Sequence, residues 1–432
     1  MLGEILEKEA EKIEAGFKSL EEITKTIVDS KDKTSFVEVD FNGKKWRIAW
    51  NFISTREKLA RYINAGNKED IIKRMLECME RQRDYEVVEL KAADFYANKV
   101  NVEDKNIDEV IPIFSFYPKT PKYIASGIFA VRNPETGTLN YSFHRMCYLG
   151  KNRFSIRIIP GRHTATALEK SDTNLECVAF LGVHPAVEVA AATSLGYGEN
   201  EMRFANALMD AKLSCTDIKG IHVPSHAQIV MVGKIRKDER AKEGPFLDLT
   251  GTWDIVREEP VFEVKEIYYK NDPIYRVILP GGREHKLLMG VPQEPRIYKI
   301  VSNTLPRVKN VVLTQAGGCW LHGVVSIKKK NEGEAKNVGL AALAAHPSMK
   351  RVVIVDEDID ITKTQEVEWA IATRVQASKD IIIIPGAKGS SLDPSQNFET
   401  KTTDKWIIDA TAPAGKLEEF KKVDLSDRDG AN

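Results

Sequence analysis

The spacing of apolar residues divides the chain into three parts. In residues 1–119, apolar positions recur at helical spacing in segments such as "NKEDIIKRMLECMERQRDY" and flank short alternating runs such as "SFVEVDF", which predicts a small α/β domain. In residues 120–302, β-branched residues alternate or cluster between Gly, Pro and Asn turns. This sequence pattern predicts an antiparallel barrel or sandwich with inserted helices, and therefore a mixed α+β fold.

Residues 303–432 predict a third domain, of α/β type. The apolar runs in "RVVIVDEDIDI" and "DIIIIPG" are separated by the helix-like "KTQEVEWAIATRVQ", an arrangement that predicts parallel strands in a βαβ unit. The last segment, "KLEEFKKVDLSDRDGAN", predicts a polar terminal helix that frays into a tail.

Composition argues against several classes of partner. The 432 residues carry 63 basic and 63 acidic side chains, so no electrostatic argument supports a nucleic-acid or membrane partner. Five scattered cysteines without a C-x-x-C pair favour a reducing, cytoplasmic location over a disulfide framework or a zinc knuckle. The start, "MLGEILEKEAEKIEAGF", predicts an amphipathic helix rather than a signal peptide. The longest apolar stretch contains His184, Pro185 and Glu188 and predicts no membrane span.

Polar side chains are concentrated on one predicted central strand, "TLNYSFHRMCYL". Alternation along a strand places Asn140, Ser142 and His144 on one face and Arg145 on the other. Polar groups in a central strand are costly unless they find partners. The strand is therefore a candidate for part of a functional site.

A helix start and a carboxylate extend this candidate. The strand "KNRFSIRIIPG" ends just before a predicted helix that begins near Arg162 and His163, and such a helix start favours phosphate binding. Asn140, His163 and Glu201 together offer two hard oxygen donors and an imidazole, a set that suits Mn²⁺ or Mg²⁺ better than structural zinc. From the residues alone, the alternative that His163 only caps its helix stays open.

Two acids bracket a Gly-Pro pair in "KEGPFLDLTG". On a rigid turn beside an arginine, Glu243 and Asp248 could divide their roles, one staying ionised and the other serving as a proton donor. An exposed loop with solvated charges is an equally good interpretation of this segment taken alone.

Taken in order, these segments resemble the UbiD family of reversible decarboxylases. The resemblance runs from about Phe114 to Thr411 and rests on "NYSFHR", "LGKNRFSIRIIPGRH", Glu201 followed by Asn206, "EGPFLD" and "TDKWIIDAT". The family uses prenylated FMN, bound on a split β-barrel, with the flavin phosphate held through a divalent metal, usually manganese, and a potassium ion. The resemblance thus implies that residues 120–302 form a flavin-binding split β-barrel between the two α/β domains.

The resemblance also implies which residues hold the cofactor and its metal. Asn140, His163 and Glu201 would bind the metal, and Lys405 would approach the flavin phosphate from the C-terminal domain. The other residues around the cofactor would be Ser142, Phe143, His144, Arg145, Arg157, Ile158, Ile159, Arg162 and His163.

Arg145, Glu243 and Asp248 would form the catalytic network that the resemblance implies. Arg145 would orient the substrate carboxylate and keep Glu243 ionised, while Asp248 would protonate the carbon from which CO₂ has left. Because strict alternation separates Asn140 from Arg145 across the sheet, we expect a bulge or a strand end between them.

The resemblance is strongest to archaeal members that convert trans-anhydromevalonate 5-phosphate to isopentenyl phosphate and CO₂, which makes this the expected reaction. His285, Lys286 and His322 are candidates for contact with the substrate phosphate. An aromatic acid, such as 4-hydroxybenzoate or its 3-polyprenyl derivative, stays an alternative substrate. A flavin-binding oxidoreductase and a metal-dependent hydrolase stay alternative classes. The resemblance also implies a homodimer or homohexamer, and a flavin prenyltransferase as the supplier of the cofactor.

Overall fold

The protein is described by a computed structural model that covers residues 1–14 and 22–423. The chain forms two compact units, Met1–Pro292 and Gln293–Asn432. The expected N-terminal helix is present only over Leu2–Glu9, and its predicted continuation is wrong at Glu11–Lys12, which form a strand. Residues 15–17 of that prediction lie outside the described residues. The division into domains at residues 119 and 302 stays a prediction.

The first unit contains eight helices within its described residues. They are α1 (Leu2–Glu9), α2 (Ile23–Asp29), α3 (Arg56–Tyr62), α4 (Ile71–Glu80), α5 (His163–Lys170), α6 (Pro185–Ala192), α7 (Glu201–Leu208) and α8 (Arg283–Gly290). Its strands are β1 (Glu11–Lys12), β2 (Ser35–Phe41), β3 (Lys44–Trp50), β4 (Glu86–Val88), β5 (Asn98–Asn101), β6 (Tyr123–Ile124), β7 (Ile128–Arg132), β8 (Leu139–Phe143), β9 (Met146–Gly150), β10 (Arg153–Ile156), β11 (Leu175–Leu181), β12 (Ser214–Ile218), β13 (Ile221–Pro224), β14 (Ile229–Glu243), β15 (Phe246–Leu247), β16 (Trp253–Asp254), β17 (Arg257–Tyr269) and β18 (Ile274–Arg276).

A nine-stranded sheet is the centre of the first unit. Its order is β6-β9-β10-β17-β14-β11-β7-β8, and β5 pairs with β17 beside this path. All of these pairings are antiparallel, as the alternating pattern predicted. Smaller sheets have the orders β1-β2-β3-β18, β13-β12-β4 and β15-β16. The mixed α+β fold is confirmed, whereas closure into a split β-barrel stays a prediction because the path of strands is open.

Aromatic side chains fill the core beneath this sheet. Phe129, Phe154 and Phe262 are fully buried, and the ring centroids of Phe129 and Phe262 lie 5.0 Å apart in an edge-to-face arrangement. Burial of one such ring contributes about 1.5–3 kcal/mol. This packing joins β7, β10 and β17.

The strand carrying the candidate residues ends where we expected a break. β8 ends at Phe143 and β9 begins at Met146, so His144 and Arg145 form the connection between two strands that do not pair with each other. This break frees the two side chains from strict alternation. The expected strand end between Asn140 and Arg145 is confirmed.

The second unit is an α/β arrangement. Its described helices are α9 (Glu294–Thr304), α10 (Glu334–Ala345), α11 (Thr364–Arg374) and α12 (Ala377–Asp380). Its strands are β19 (Val308–Leu313), β20 (His322–Ile327), β21 (Arg351–Asp356), β22 (Ile381–Lys388) and β23 (Thr402–Ala410), in the order β19-β20-β21-β23-β22. β20, β21 and β23 run parallel. The predicted terminal helix is a single 3₁₀ turn at Leu417–Phe420, and its continuation falls in residues 424–432, outside the described residues.

The expectation that the isoleucine run is a buried strand parallel to β21 is wrong. β23 pairs with β21, and β22 lies antiparallel to β23 at the edge of the sheet. Ile383 is 68% exposed. A short apolar run has the same sequence signature in a central strand and in an edge strand, so the sequence could not separate the two.

Within residues 1–14 and 22–423, none of the helices combines the length and apolar character needed to cross a bilayer.

Candidate active site

Arg145 lies between the two acids of the Gly-Pro segment. Its Nε and Nη2 atoms donate to Oε1 and Oε2 of Glu243, both at 2.8 Å, and its Nη1 donates to Oδ2 of Asp248 at 2.9 Å. The Glu243 side chain is fully buried, and that of Asp248 is 10% exposed. The structure thus brings Arg145, Glu243 and Asp248 into one hydrogen-bonded cluster. A buried bidentate arginine–carboxylate pair fixes orientation as well as charge.

A short hairpin positions the two acids. Glu243 is the last residue of β14, and the Gly244–Pro245 peptide bond that follows is cis. Gly244 has φ +113°, and a Cβ there would lie 3.1 Å from Cα of Val256, so only glycine fits. β15 then pairs with β16, and Asp248 begins the turn between them. The Phe246 ring lies against the Arg145 guanidinium, 4.3 Å from centroid to Cζ, which adds cation–π attraction.

Sequence reasoning missed two groups that contact this cluster. The Tyr123 hydroxyl donates to Oε1 of Glu243 at 2.9 Å, and burial, with the Glu243 charge, raises the pKa of Tyr123 well above its usual value. Oδ2 of Asp254 accepts from Nη2 of Arg145 at 2.8 Å. Neither residue belongs to a recognisable motif, since Tyr123 reaches Glu243 and Asp254 reaches Arg145 only after the strands have paired.

Two of the three residues expected to bind a metal, Asn140 and His163, are in contact, and the third, Glu201, contacts the residue that follows Asn140. Oδ1 of Asn140, on β8, lies 2.9 Å from Nδ1 of His163, the first residue of α5. Oε2 of Glu201, the first residue of α7, accepts from the backbone N–H of Tyr141 at 2.9 Å. Two neighbouring residues of β8 are thus linked to the first residues of α5 and α7. That the three side chains bind one metal stays a prediction.

The donor set of this cluster fits a hard divalent cation. Burial and the nearby Arg162 lower the pKa of His163, so its imidazole is neutral and has a lone pair for a metal at neutral pH. Burial raises the pKa of Glu201 to about 8, which is the effect of placing a carboxylate away from water without a compensating cation. One amide oxygen, one carboxylate and one imidazole suit Mn²⁺ or Mg²⁺.

A network of hydroxyl and imidazole groups lies next to the Asn140 cluster. Nδ1 of His144 lies 2.7 Å from the carbonyl oxygen of Arg157 and so carries the proton. Its Nε2 lies 3.0 Å from Oγ of Ser142 and 3.1 Å from Oγ1 of Thr164. Burial lowers the pKa of His144 to about 4, so it is neutral at pH 7. Phe143, the preceding residue, is half-buried.

Two of the residues expected around the cofactor, Arg157 and Ile158, contact the same acid. Oε1 of Glu259 accepts from Nη1 of Arg157 at 2.5 Å, and Oε2 accepts from the backbone N–H of Ile158 at 3.2 Å. Ile159 is 49% exposed. Arg162 is the N-cap of α5 and is exposed. These residues form a continuous segment leading into α5.

Lys405 belongs to the second unit, on β23, where its Nζ donates to the carbonyl oxygen of Pro347. Burial, with a contribution from Lys388, lowers the pKa of Lys405. Its expected approach to a flavin phosphate stays a prediction. His322, a candidate for contact with a substrate phosphate, also lies in the second unit, at the start of β20.

His285 lies beside the Arg145 cluster. Its ring packs edge-on against Phe246 with 6.1 Å between centroids, and its Nδ1 accepts from the backbone N–H of Gly281 at 3.0 Å. Burial lowers the pKa of His285, so the ring is neutral with its proton on Nε2. Lys286, the next residue on α8, is half-buried.

Comparison with known proteins identifies the family. Residues 86–283 match the UbiD domain described as the 3-octaprenyl-4-hydroxybenzoate carboxy-lyase Rift-related domain, and residues 286–410 match the corresponding C-terminal domain. A protein of Methanothermobacter thermautotrophicus named anhydromevalonate phosphate decarboxylase is 44% identical over 381 residues, which cover 87% of each chain. The chain belongs to the UbiD family. A protein of the same name from Methanocaldococcus jannaschii is 42% identical, over 90% of this chain and 91% of the relative.

UbiD-class structures share the fold over the whole chain. HmfF from Pelotomaculum thermopropionicum, solved in complex with FMN, superposes with a TM-score of 0.92 at 30% identity and covers 100% of this chain and 98% of its own. An evolved dimeric form of HmfF, in complex with prFMN, superposes with a TM-score of 0.88 at 29% identity, over 100% of this chain and 97% of its own. The UbiD-family fold is therefore shown for the described residues of both units.

Proposed function

We propose that this protein is a prenylated-FMN-dependent carboxy-lyase that converts trans-anhydromevalonate 5-phosphate to isopentenyl phosphate and CO₂. One observation carries the proposal. Arg145 donates hydrogen bonds to both Glu243 and Asp248. The chain that carries this cluster is 37–44% identical to five archaeal proteins named anhydromevalonate phosphate decarboxylase.

Asn140, His163 and Glu201 would hold Mn²⁺ against the flavin phosphate, with K⁺ as a second ion. Their support is the contact between the Asn140 amide and the His163 imidazole, and the hydrogen bond that the Glu201 carboxylate accepts from the next residue of β8. Lys405 would be a further contact to the phosphate. The surrounding cradle would be formed by residues of the β8 end and of the segment before α5: Ser142, Phe143, His144, Arg157, Ile158, Ile159 and Arg162. The hydrogen bonds that Glu259 makes to Arg157 and Ile158 keep this segment in one conformation.

The chain's own residues supply position, charge and a proton. Prenylated FMN, when bound, supplies the electron sink for cleavage of the C–C bond. The Arg145 guanidinium orients the substrate carboxylate, and its bidentate pair with Glu243 keeps that acid ionised. Once the C–C bond has broken and CO₂ has left, Asp248 delivers its proton to the carbon that carried the carboxylate. Phe246 covers the guanidinium and limits access of water to it.

Several further features complete the proposal. The flavin would sit on the central sheet as a split β-barrel, in a homodimer or homohexamer, and a flavin prenyltransferase would supply the cofactor. The enzyme would work in the cytoplasm, in isoprenoid biosynthesis. Support for these comes from the family and from the relatives' names rather than from individual contacts.

The test is decarboxylation by protein co-expressed with a flavin prenyltransferase and supplied with Mn²⁺ and K⁺. We expect the loaded protein to release CO₂ from trans-anhydromevalonate 5-phosphate and to form isopentenyl phosphate. Asp248→Asn should keep the flavin, seen by its absorption and by native mass, and should lose CO₂ release by about 100-fold or more. Asp238→Asn is the matched control, since Asp238 is an exposed acid on β14, the strand that also carries Glu243.

Other results would redirect the proposal. CO₂ release from 4-hydroxybenzoate or its 3-polyprenyl derivative, without turnover of the phosphorylated acid, would replace the substrate and keep the chemistry. Turnover that needs a nicotinamide would indicate an oxidoreductase, and hydrolysis without any flavin would indicate a metal-dependent hydrolase. Failure to bind flavin with both ions present would overturn the decarboxylase assignment.

A further inference from the structure

Asp254 is a third carboxylate on Arg145. Its side chain is 5% exposed, and its Oδ2 shares the Nη2 atom of Arg145 with Glu243, each at 2.8 Å. Asp254 ends β16 and pairs with Phe246 across the hairpin. It therefore approaches the guanidinium from the strand opposite the one that follows Glu243.

Arg257 locks Asp254 in this position. Nη1 and Nη2 of Arg257 donate to Oδ2 and Oδ1 of Asp254 at 2.6 and 2.7 Å, and the backbone N–H of Ile255 donates to Oδ1 at 2.9 Å. Burial raises the pKa of Asp254, but hydrogen bonds and charges of Arg257 and Arg145 outweigh it and hold that pKa below its usual value. Asp254 is thus a permanent anion at neutral pH.

The contacts of the three acids are unequal. Glu243 accepts two N–H groups from Arg145 and the hydroxyl of Tyr123. Asp254 accepts three guanidinium N–H groups and one backbone N–H. Asp248 accepts one guanidinium N–H and the backbone N–H of Leu249. A proton entering the cluster displaces the fewest charge-assisted hydrogen bonds if it binds Asp248.

We propose that Asp254 and Arg257 are positioning residues that fix the guanidinium of Arg145 and set the charge of the cluster from which Asp248 donates its proton. Three carboxylates face two guanidinium groups, so the cluster has one negative charge in excess when every carboxyl is ionised. One proton neutralises it. Without Asp254 the same cluster would be neutral with Asp248 ionised, and without Arg257 it would carry two excess negative charges.

This charge balance predicts shifts in opposite directions. The groups that face Asp248 and its cluster from the packed elements are Arg145, Glu243, Asp254, Arg257, Tyr123 and the neutral His285. Asp254→Asn removes a negative charge, which weakens proton binding at Asp248. Arg257→Gln removes a positive charge, which strengthens it. The activity of an enzyme that needs a protonated acid falls on the alkaline side of its pH profile.

The test compares the alkaline limb of the kcat profile in loaded wild-type enzyme and in the two variants. We expect the limb to move by about one pH unit to lower pH in Asp254→Asn and by about one unit to higher pH in Arg257→Gln. Glu258→Gln is the matched control, because Glu258 is an exposed acid adjacent to Arg257 on β17, and it should leave the limb in place. If one variant fails to fold, the direction in which the alkaline limb moves in the other variant tests the inference.

A second readout does not need turnover. The carbonyl band of a protonated carboxyl, identified by its loss in Asp248→Asn, is titrated by infrared spectroscopy in the same loaded proteins without substrate. Its midpoint should move in the same two opposite directions. Unchanged midpoints, or shifts of both variants in one direction, would overturn the inference even if wild-type enzyme is active.

The kinetic part of this inference rests on the proposed function, because it takes Asp248 as the proton donor. The proposed function and the inference can each be contradicted without the other. A wild-type enzyme without CO₂ release would contradict the proposed function, and the infrared titration would then decide the role of Asp254 and Arg257 by itself.

Discussion

Nδ1 of His163 lies 2.9 Å from Oδ1 of Asn140, which joins the first residue of α5 to β8. The two atoms are the natural ligand atoms of these side chains, and the Glu201 carboxylate reaches the same strand one residue further on. We therefore expect His163→Gln to reduce retained Mn²⁺ and flavin at least tenfold, to be measured as metal by mass spectrometry and flavin by absorbance per chain.

The control for this prediction is His222→Gln. His222 is a 30% exposed histidine on β13, so its replacement should leave metal and flavin content unchanged. Full metal and flavin content in His163→Gln would contradict the assignment of this cluster as the metal site.

Removal of the Tyr123 hydroxyl should weaken both the fold and the acid cluster. Tyr123→Phe takes away one of the three donors to Glu243, so we expect the free energy of unfolding to fall by about 1 kcal/mol and kcat to fall several-fold with little change in KM. Urea unfolding and steady-state kinetics measure the two effects.

Tyr275→Phe provides the matched comparison. The Tyr275 side chain is fully buried, and its hydroxyl has no hydrogen-bond partner among the described residues. Its deletion should leave stability unchanged or increase it. Equal losses of unfolding free energy in the two variants would show that the hydrogen bond from Tyr123 to Glu243 does not stabilise the fold.

The buried Arg276 is expected to be the most sensitive single position in the first unit. Its side chain is 0% exposed and contacts Glu188 at 2.9 Å and Glu284 at 2.6 Å, while Glu284 also accepts the backbone N–H groups of Asn51 and Ile53. Arg276→Met leaves two buried carboxylates without their cation and should cost about 3–5 kcal/mol.

Urea unfolding measures this loss. Lys170→Met is the control, because the pair of Lys170 with Glu135 is exposed and its removal should change stability by at most about 1 kcal/mol. A small effect at Arg276 would mean that the two acids become protonated or reach water without unfolding the unit.

Acid should destabilise the fold through His226. Burial lowers the pKa of His226 to about 3, below the value of about 6.5 in an unfolded chain. Stability from this group is therefore present above pH 6.5 and is lost as pH falls from 6.5 toward 3. The unfolded state binds one more proton in this window, which is about 1.4 kcal/mol per pH unit.

His226→Gln tests this linkage. Glutamine can still accept the backbone N–H of His184, which donates to Nε2 of His226 at 3.3 Å. The slope of unfolding free energy against pH between 6 and 4 should decrease by about 1.4 kcal/mol per pH unit. An unchanged slope would show that His226 binds its proton in the folded state as well.

Much of the site could be predicted because its residues lie in ordered local patterns. Alternation along "TLNYSFHRMCYL" placed Asn140 and Arg145 on opposite faces, and the need for both in one region indicated a break, which the structure has after Phe143. The Gly-Pro pair between Glu243 and Asp248 indicated a turn that presents both acids.

The remaining contacts have no local signature. Asp254 reaches Arg145, and Arg257 lies beside the cluster, only through the pairing of β15 with β16 and of β14 with β17. Tyr123 reaches Glu243 only through the position of β6 next to β9. Register between distant strands is not encoded in a short window of sequence. The wrong assignment of β22 has a different cause, because an apolar run does not show whether its strand lies inside a sheet or at its edge.

The way Arg145 is shared among its acids has a consequence for how it can hold a substrate. A guanidinium carries five N–H groups, and among the described residues four hydrogen bonds to Glu243, Asp248 and Asp254 occupy Nε, Nη2 and one hydrogen of Nη1. One N–H is left for an incoming acid, enough for a single oxygen. A carboxylate held at one oxygen can still pivot about that hydrogen bond, so the direction of the C–C bond to be broken also depends on the other contacts of the substrate.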